Sequence, residues 1–230
     1  MNTQTLRKIA GHLVTAMVAT GLLAACAATP DPHPAVDSDG LKRVQSNNVD
    51  ALYVADGASL AAYTRVAITM PTVAMRDGWL RDQNSTRSFS ADRVTEDDVT
   101  RIKTAAADSF LDEFNKQFER AGYELTGEPG PDVLLLEPAI VDLDVRAPDT
   151  SRNSSTAVTT YTKSKGKVTL DIKMLDSSTG KIIGHVIDEK EDFDSGTFWL
   201  ANSVSNRAEI NRAMRGWAED LTDALDAAKN

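Results

Sequence analysis

Cysteine occurs once in these 230 residues, at position 26, so no disulfide can form within the chain. Histidine is nearly as scarce. Of His12, His33 and His185, only His185 falls where a folded domain is expected, and no second His or Cys stands at metal-ligand spacing. A P-loop, a dinucleotide fingerprint and a Gly-x-Ser-x-Gly elbow are all missing, and one domain histidine gives a Ser-His-Asp triad nothing to build on. Positive charge is short as well. The 25 Lys plus Arg against 34 Asp plus Glu leave a net −9, which removes the electrostatic motive for binding nucleic acid. No catalytic residues, cofactor or metal ligands are therefore expected, and the chain is not expected to be an enzyme.

Long apolar runs are confined to the start. Arg7 and Lys8 form a basic n-region, residues 9–23 are mostly apolar, and Leu23-Ala24-Ala25-Cys26 follows. The run is short and interrupted for a bilayer span, which needs roughly 20 predominantly apolar residues, so an export signal is expected rather than a permanent anchor helix. His12, inside it, carries no catalytic meaning. The four closing residues resemble the lipobox of bacterial lipoproteins. The resemblance implies cleavage between Ala25 and Cys26, a diacylglyceryl thioether on the Cys26 sulfur and an acyl chain such as palmitate on the new amine. Two or more chains hold a protein to a leaflet where one would let go. In the sorting rule that goes with this signal, an Asp after the cysteine favours the inner membrane. Ala27 stands there, which implies the outer membrane, facing the periplasm, with the inner membrane as the alternative.

Removing residues 1–25 takes away Arg7 and Lys8 and no acid, leaving 23 cations against 34 acids, a net −11. So acidic a chain has no affinity for anionic headgroups, and lipid must do the anchoring. Residues 26–40 then read as the lipidated cysteine and a flexible tether. Pro30, Pro32 and Pro34 stand with Asp31, Asp37 and Asp39 and show no apolar periodicity, and His33 between two prolines reads as solvated. Residues 41–230 suit a single envelope domain.

Within that domain a short helical turn over 58–63 leads to a strand over 65–74, with Val66, Ile68 and Met70 on one face and Pro71 marking an edge, bulge or end. Residues 76–93 lack periodicity and read as a long surface loop, with Trp79 and Phe89 folded back onto the domain. Thr95 and Asp98 form a capping box for a helix whose Val99, Ile102, Ala106, Phe110, Phe114, Phe118 and Ala121 make one stripe, ended by Gly122. A phenylalanine stripe at this period is a core face; a lipid or ligand groove is the functional alternative.

Pro129-Gly130-Pro131-Asp132 is a turn before an apolar run from Val133 to Leu136. Pro138 suggests an edge or bulge, and Ala139, Val141, Leu143 and Val145 share a face opposite Ile140, Asp142 and Asp144. Residues 150–162 read as a polar loop entering a strand near 158–161. A hairpin follows, with strands over 167–175 and 181–188 and a turn at Asp176-Ser177-Ser178-Thr179-Gly180. A last helix from Asn206, with Glu209 completing a capping box, puts Ile210, Met214, Trp217, Leu221, Leu225 and Ala228 on one side. The order β, α, β, β, β, α predicts an α/β (α+β) fold. It would be a two-layer sandwich, with a mixed, mainly antiparallel sheet and two amphipathic helices on one face. Its first strand–helix–strand unit would be a parallel crossover.

Three segments carry a family likeness: Leu60-Ala61-Ala62-Tyr63-Thr64-Arg65-Val66, Lys173-Met174-Leu175-Asp176-Ser177-Ser178-Thr179-Gly180-Lys181, and Ala213-Met214-Arg215-Gly216-Trp217-Ala218. With the lipobox, they resemble a family of proteobacterial lipoproteins classed as a domain of unknown function, over about residues 40–228. The resemblance implies a related α/β fold in the cell envelope and no catalytic residues.

Two functional readings follow. One is a non-catalytic binding or assembly module that meets another envelope protein, joined to the membrane by lipid. The other is a glycan-binding protein or an unrecognised hydrolase of envelope polymer. That reading would use carboxylates from Asp142, Asp144 or the group Asp188, Glu189, Glu191, Asp192 and Asp194 around Lys190, where calcium is a further option. Phe198 and Trp199 are candidate exposed aromatics, with core packing as the plainer reading. His185 reads as a strand histidine at the surface or satisfied by a neighbour.

Overall fold

The computed structural model describes residues 32–85, 87, 93–145, 167–191 and 203–227. The leader, Ala25, Cys26, Phe89, residues 158–161, Asp192, Asp194, Phe198, Trp199 and Ala228 lie outside these, so the expectations placed on them are neither met nor refused.

Among the described residues, one mostly antiparallel, open sheet of eight strands carries the domain, together with three helices. The strands are β1 (Lys42–Val44), β2 (Ala51–Val54), β3 (Arg65–Ile68), β4 (Thr72–Met75), β5 (Glu124–Leu125), β6 (Val133–Leu143), β7 (Lys167–Asp176) and β8 (Ile182–Glu191). The helices are α1 (Trp79–Ser85), α2 (Glu96–Arg120) and α3 (Ser203–Ala227). Strand order is β1-β2-β8-β7-β6-β3-β5, with β4 beside β6. Only β3–β5, β3–β6 and β4–β6 are parallel, and β3 reaches β6 through α2, so the expected mixed sheet and parallel crossover are both present.

The single strand expected over 65–74 is two, β3 and β4, laid end to end along β6. The break at 69–71 contains Pro71 and leaves Met70 60% exposed, off the face assigned to it. Across from the break sits Pro138, inside the eleven-residue β6 and not at an edge. The reason lies in the direction of its missing donor. Thr69 N–H donates to Leu136 O on one side of β6 and Ser177 N–H to Val133 O on the other, so even-numbered β6 residues aim their polar groups at β3 and β4. The donor that Pro138 lacks would have pointed into the gap.

A second correction concerns the far end of β6. Leu134, Leu136 and Ile140 enter the core, whereas Ala139 and Val141 do not, and Leu143 is buried again on the other parity. Asp142 has φ 55, and the β4–β6 register shifts between Val73 and Met75: a bulge adds one residue and reverses the alternation. Residues 76–93 likewise are not all loop. Trp79 opens α1, is 1% exposed and donates its indole N–H to Val145 O at 3.0 Å. The Asn84 amide grips Val94, donating to its O and accepting from its N–H, both at 2.9 Å.

Helix α2 starts at the predicted capping box: Asp98 N–H donates to Thr95 Oγ1 and Thr95 N–H to Asp98 Oδ2. Its phenylalanine stripe is core, with Phe110, Phe114 and Phe118 all fully buried, and no groove is formed by them. Ala121 caps it, and Gly122 follows at φ 87, a backbone region glycine enters without steric cost. Helix α3 begins at Ser203, three residues before the expected Asn206 cap. It packs beside α2 on the same sheet face, giving one core with Leu136, Ile140, Ile172, Met174, Val186, Trp217 and Leu221.

Gly184 of β8 pairs with Met174 and with Val54. A Cβ there would meet the Met174 methyl, itself fully buried, and would lie 3.2 Å from Tyr53 O. Gly184→Ala is expected to cost about 1–3 kcal/mol of unfolding free energy by overpacking, read by urea denaturation. An unchanged midpoint would show that Met174 has room to move.

Candidate functional site

On the sheet face away from α2 and α3, His185 is the centre of a charged cluster. Its side chain is 7% exposed, its ring lies over Tyr53 of β2 at 5.8 Å between centroids, and both of its nitrogens meet carboxylates. Nδ1 is 2.9 Å from Asp37 Oδ2 and Nε2 is 2.9 Å from Asp171 Oδ1. Asp171 and Lys173 are on β7, and Lys173 pairs directly with His185 across the ladder. Asp37 comes from the segment before β1. Its Oδ1 accepts from the N–H groups of Asp39 and Leu41 at 3.0 and 2.8 Å, which closes a turn completed by Gly40 at φ 81. Asp39 in turn pairs with Lys173 at 2.8 Å.

Residues 33–40 therefore do not belong to a free tether. Arg43 N–H donates to Ala35 O, and the Arg43 guanidinium donates to His33 O at 3.1 Å and Asp50 O at 2.9 Å. Leu41 packs with Ala51 and Tyr53 in a small apolar cluster of this face. We call residues 33–41 the strap.

Electrostatics follow from the geometry. Burial works against a charged His185, yet the hydrogen bonds and charges of Asp171 and Asp37 outweigh it and raise its pKa above the ordinary value. Burial likewise opposes charge on Asp37, but donation from His185 and from the Leu41 and Asp39 amides lowers its pKa below the usual carboxylate range. An imidazolium donating from both nitrogens satisfies both carboxylates at once. Asp37, Asp39 and His185 each present one potential ligand atom within 4.8 Å of the others. Hydrogen-bonding groups of the protein already meet this set, since Asp37 Oδ2 faces the imidazole and Asp39 Oδ2 faces Lys173.

The carboxylates singled out from the sequence are scattered. Asp144 pairs with Arg76 at 2.9 Å, and Asp142 is exposed at the β6 bulge. Asp188 lies on the opposite face of the sheet, buried against α3, where it accepts from Trp217 Nε1–H at 2.8 Å and Asp50 N–H at 3.1 Å. Burial raises its pKa. Lys190 reaches Asp220 of α3 at 2.7 Å and lies over the Trp217 ring at 5.9 Å. Glu189 donates its N–H to Asp50 Oδ2 at 2.8 Å. The bonds of Asp188 and Lys190 tie β8 to α3, and those of Asp188 and Glu189 tie it to Asp50 just before β2.

Sequence reasoning placed His185 on the right strand, at the surface or satisfied by a neighbour, and did not find Asp37 or Asp171. The turn signature Asp37-Ser38-Asp39-Gly40 was the available signal for the strap.

The model of the family described as "Protein of unknown function (DUF3313)" matches residues 32–221. The chain belongs to this family. The likeness read from the sequence to a family classed as a domain of unknown function is thereby borne out, and the DUF3313 description assigns no activity. No curated protein matches the chain. Among solved structures, the PelC dodecamer from Paraburkholderia phytofirmans is similar at 9% identity, covering 72% of this chain and 96% of that one, with a TM-score of 0.32. A protein described as a neuraminyllactose-binding hemagglutinin homolog from Helicobacter pylori is similar at 12% identity over 75% and 90%, TM-score 0.39. A minor lipoprotein from Acinetobacter baumannii is similar at 7% identity over 70% and 94%, TM-score 0.31. Likenesses this distant carry no functional argument. No helix among the described residues of this DUF3313 chain is long and apolar enough to cross a membrane.

Proposed function

We propose that the protein is a lipid-anchored lipoprotein of the bacterial cell envelope, held at the outer membrane by acyl chains on Cys26, whose single domain is a non-catalytic binding or assembly module. The anchoring half of this reading rests on the basic n-region, the apolar run and Leu23-Ala24-Ala25-Cys26. The non-catalytic half rests on one observation: both nitrogens of His185, the domain's histidine on the sheet, are held by carboxylates of the same chain. A general base must offer a nitrogen to the substrate's proton, and this imidazole has none to offer while the strap is in place.

Two measurements test the reading. Cys26→Ala is expected to move the protein from the membrane fraction to the soluble or unprocessed pool, and mass spectrometry of the mature wild-type N-terminus is expected to show a lipidated cysteine. An unmodified N-terminus would end the anchoring proposal. Crosslinking in intact cells followed by purification is expected to recover the same envelope protein in repeated preparations; turnover of an envelope glycan by the pure domain would replace the binding reading with a hydrolytic one.

A further inference from the structure

The strap is held by a clasp of unusual composition, and its chemistry points to a use. Strap residues 33–41 cover part of the back face of the sheet through two charged contacts, Asp37 with His185 and Asp39 with Lys173, plus the Arg43 contact to His33 O. The groups facing His185 are Asp37 and Asp39 from the strap, Asp171 and Lys173 from β7, and the Tyr53 ring from β2. We infer that residues 33–41 form a proton-operated latch: closed when the His185 imidazolium bridges Asp37 and Asp171, and released when His185 loses its second proton, which uncovers the face bearing Ala51, Tyr53 and Ile187.

The balance is simple. A neutral imidazole has one N–H, so it can donate to Asp171 or to Asp37 but not to both. The contact with Asp37, whose side chain is 5% exposed, then loses its charge in a site nearly closed to water, whereas Asp171, 37% exposed, can turn to solvent. Asp171 is fixed in a central strand, paired on both sides. Asp37 lies in a turn held otherwise by Asp39 on Lys173, by Arg43 and by Leu41, so with one of its two charged contacts weakened the strap is the part that loosens. The sign follows from the raised pKa of His185. Closure is fully favoured below the pKa that His185 has with the strap open and Asp171 still beside it, weakens by up to tenfold per pH unit above that, and stops changing once pH passes the docked value. Asp37, with its lowered pKa, sets the acidic limit: closure persists above its ordinary value of 3.8 and fails only as pH falls through the depressed one.

The latch is a property of the domain and does not need the lipid, so its failure would leave the anchoring proposal standing. The test is amide hydrogen exchange on the purified full chain from pH 5.5 to 9, expressed as protection factors so that the base-catalysed intrinsic rate divides out, with NMR titration of His185 alongside. The amides of Asp39, Leu41 and Arg43, bonded to Asp37 Oδ1 or Ala35 O, are expected to lose protection in step with His185 deprotonation, while β7 amides keep theirs. Asp171→Asn is expected to move the transition to lower pH, and His185→Gln to leave a weakly protected strap with no pH dependence. Strap protection that stays constant while His185 titrates would overturn the latch, and so would a His185 already neutral at pH 6. Cobalt(II) added at pH 7 is expected to leave the spectrum silent; visible absorption that disappears in His185→Gln would instead make the cluster a metal site and also overturn it.

Discussion

Trp217→Ala is expected to remove about 3–5 kcal/mol of stability, from loss of a large core side chain alone. The indole is 1% exposed at the junction of α3 and the sheet. Two further effects add to the loss. Asp188 would forfeit its 2.8 Å donor while remaining buried, which costs about 1–3 kcal/mol for an unsatisfied buried group, and Lys190 would lose the ring beneath it. Trp217→Phe separates these contributions, keeping much of the volume and removing the N–H. Denaturant unfolding of both variants should therefore give a larger loss for alanine and a smaller, clear loss for phenylalanine. If phenylalanine cost nothing, the Trp217–Asp188 bond would be incidental to the docking of α3.

The second large effect is expected from Phe114→Ala, about 3–5 kcal/mol. Phe114 is fully buried at the middle of α2, stacked on Phe110 at 3.7 Å between centroids and tilted against Phe118 at 6.4 Å. The cavity would open in the core that Phe114 shares with Leu136 and Ile172 of the sheet. Phe114→Leu, which leaves a smaller void, should recover part of the loss in the same unfolding experiment. Equal losses for both variants would mean that ring stacking, and not volume, carries the effect.

Elements with strong periodicity were legible before any coordinates. The Thr95–Asp98 capping box, the phenylalanine stripe and the β7–β8 hairpin are written in local chemistry, and each appears where that chemistry puts it. Elements that exist through pairing alone were not. β5 has two residues and β1 three, too few for an alternation to register, and the Ala51–Val54 segment is buried on both faces and so has no alternation to read. The bulges hid the rest. Read straight back from its turn, β8 would put His185 toward the helices, because Leu175 pairs with Ile182. Ile183 is the extra residue, and from Met174–Gly184 onward the parity is reversed, sending His185 to the back face and Asp188 to the core. One inserted residue thus decided which acidic partners the histidine could meet. The strap was misjudged for a different reason: proline and aspartate suit a solvated chain, and only a partner 148 positions away makes them a docked one.

The ends of the sheet have a consequence for how copies of the chain meet. One border strand, β1, is three residues long, bears Lys42 and Arg43, and is flanked by Ala35 and Val36, which occupy part of its outer rim. At the opposite border stand the two-residue β5 and the four-residue β4. Any long bare rim would recruit a neighbouring molecule's strand into a growing ribbon. Brief, charged and partly covered borders deny that route and leave a second copy little edge to extend.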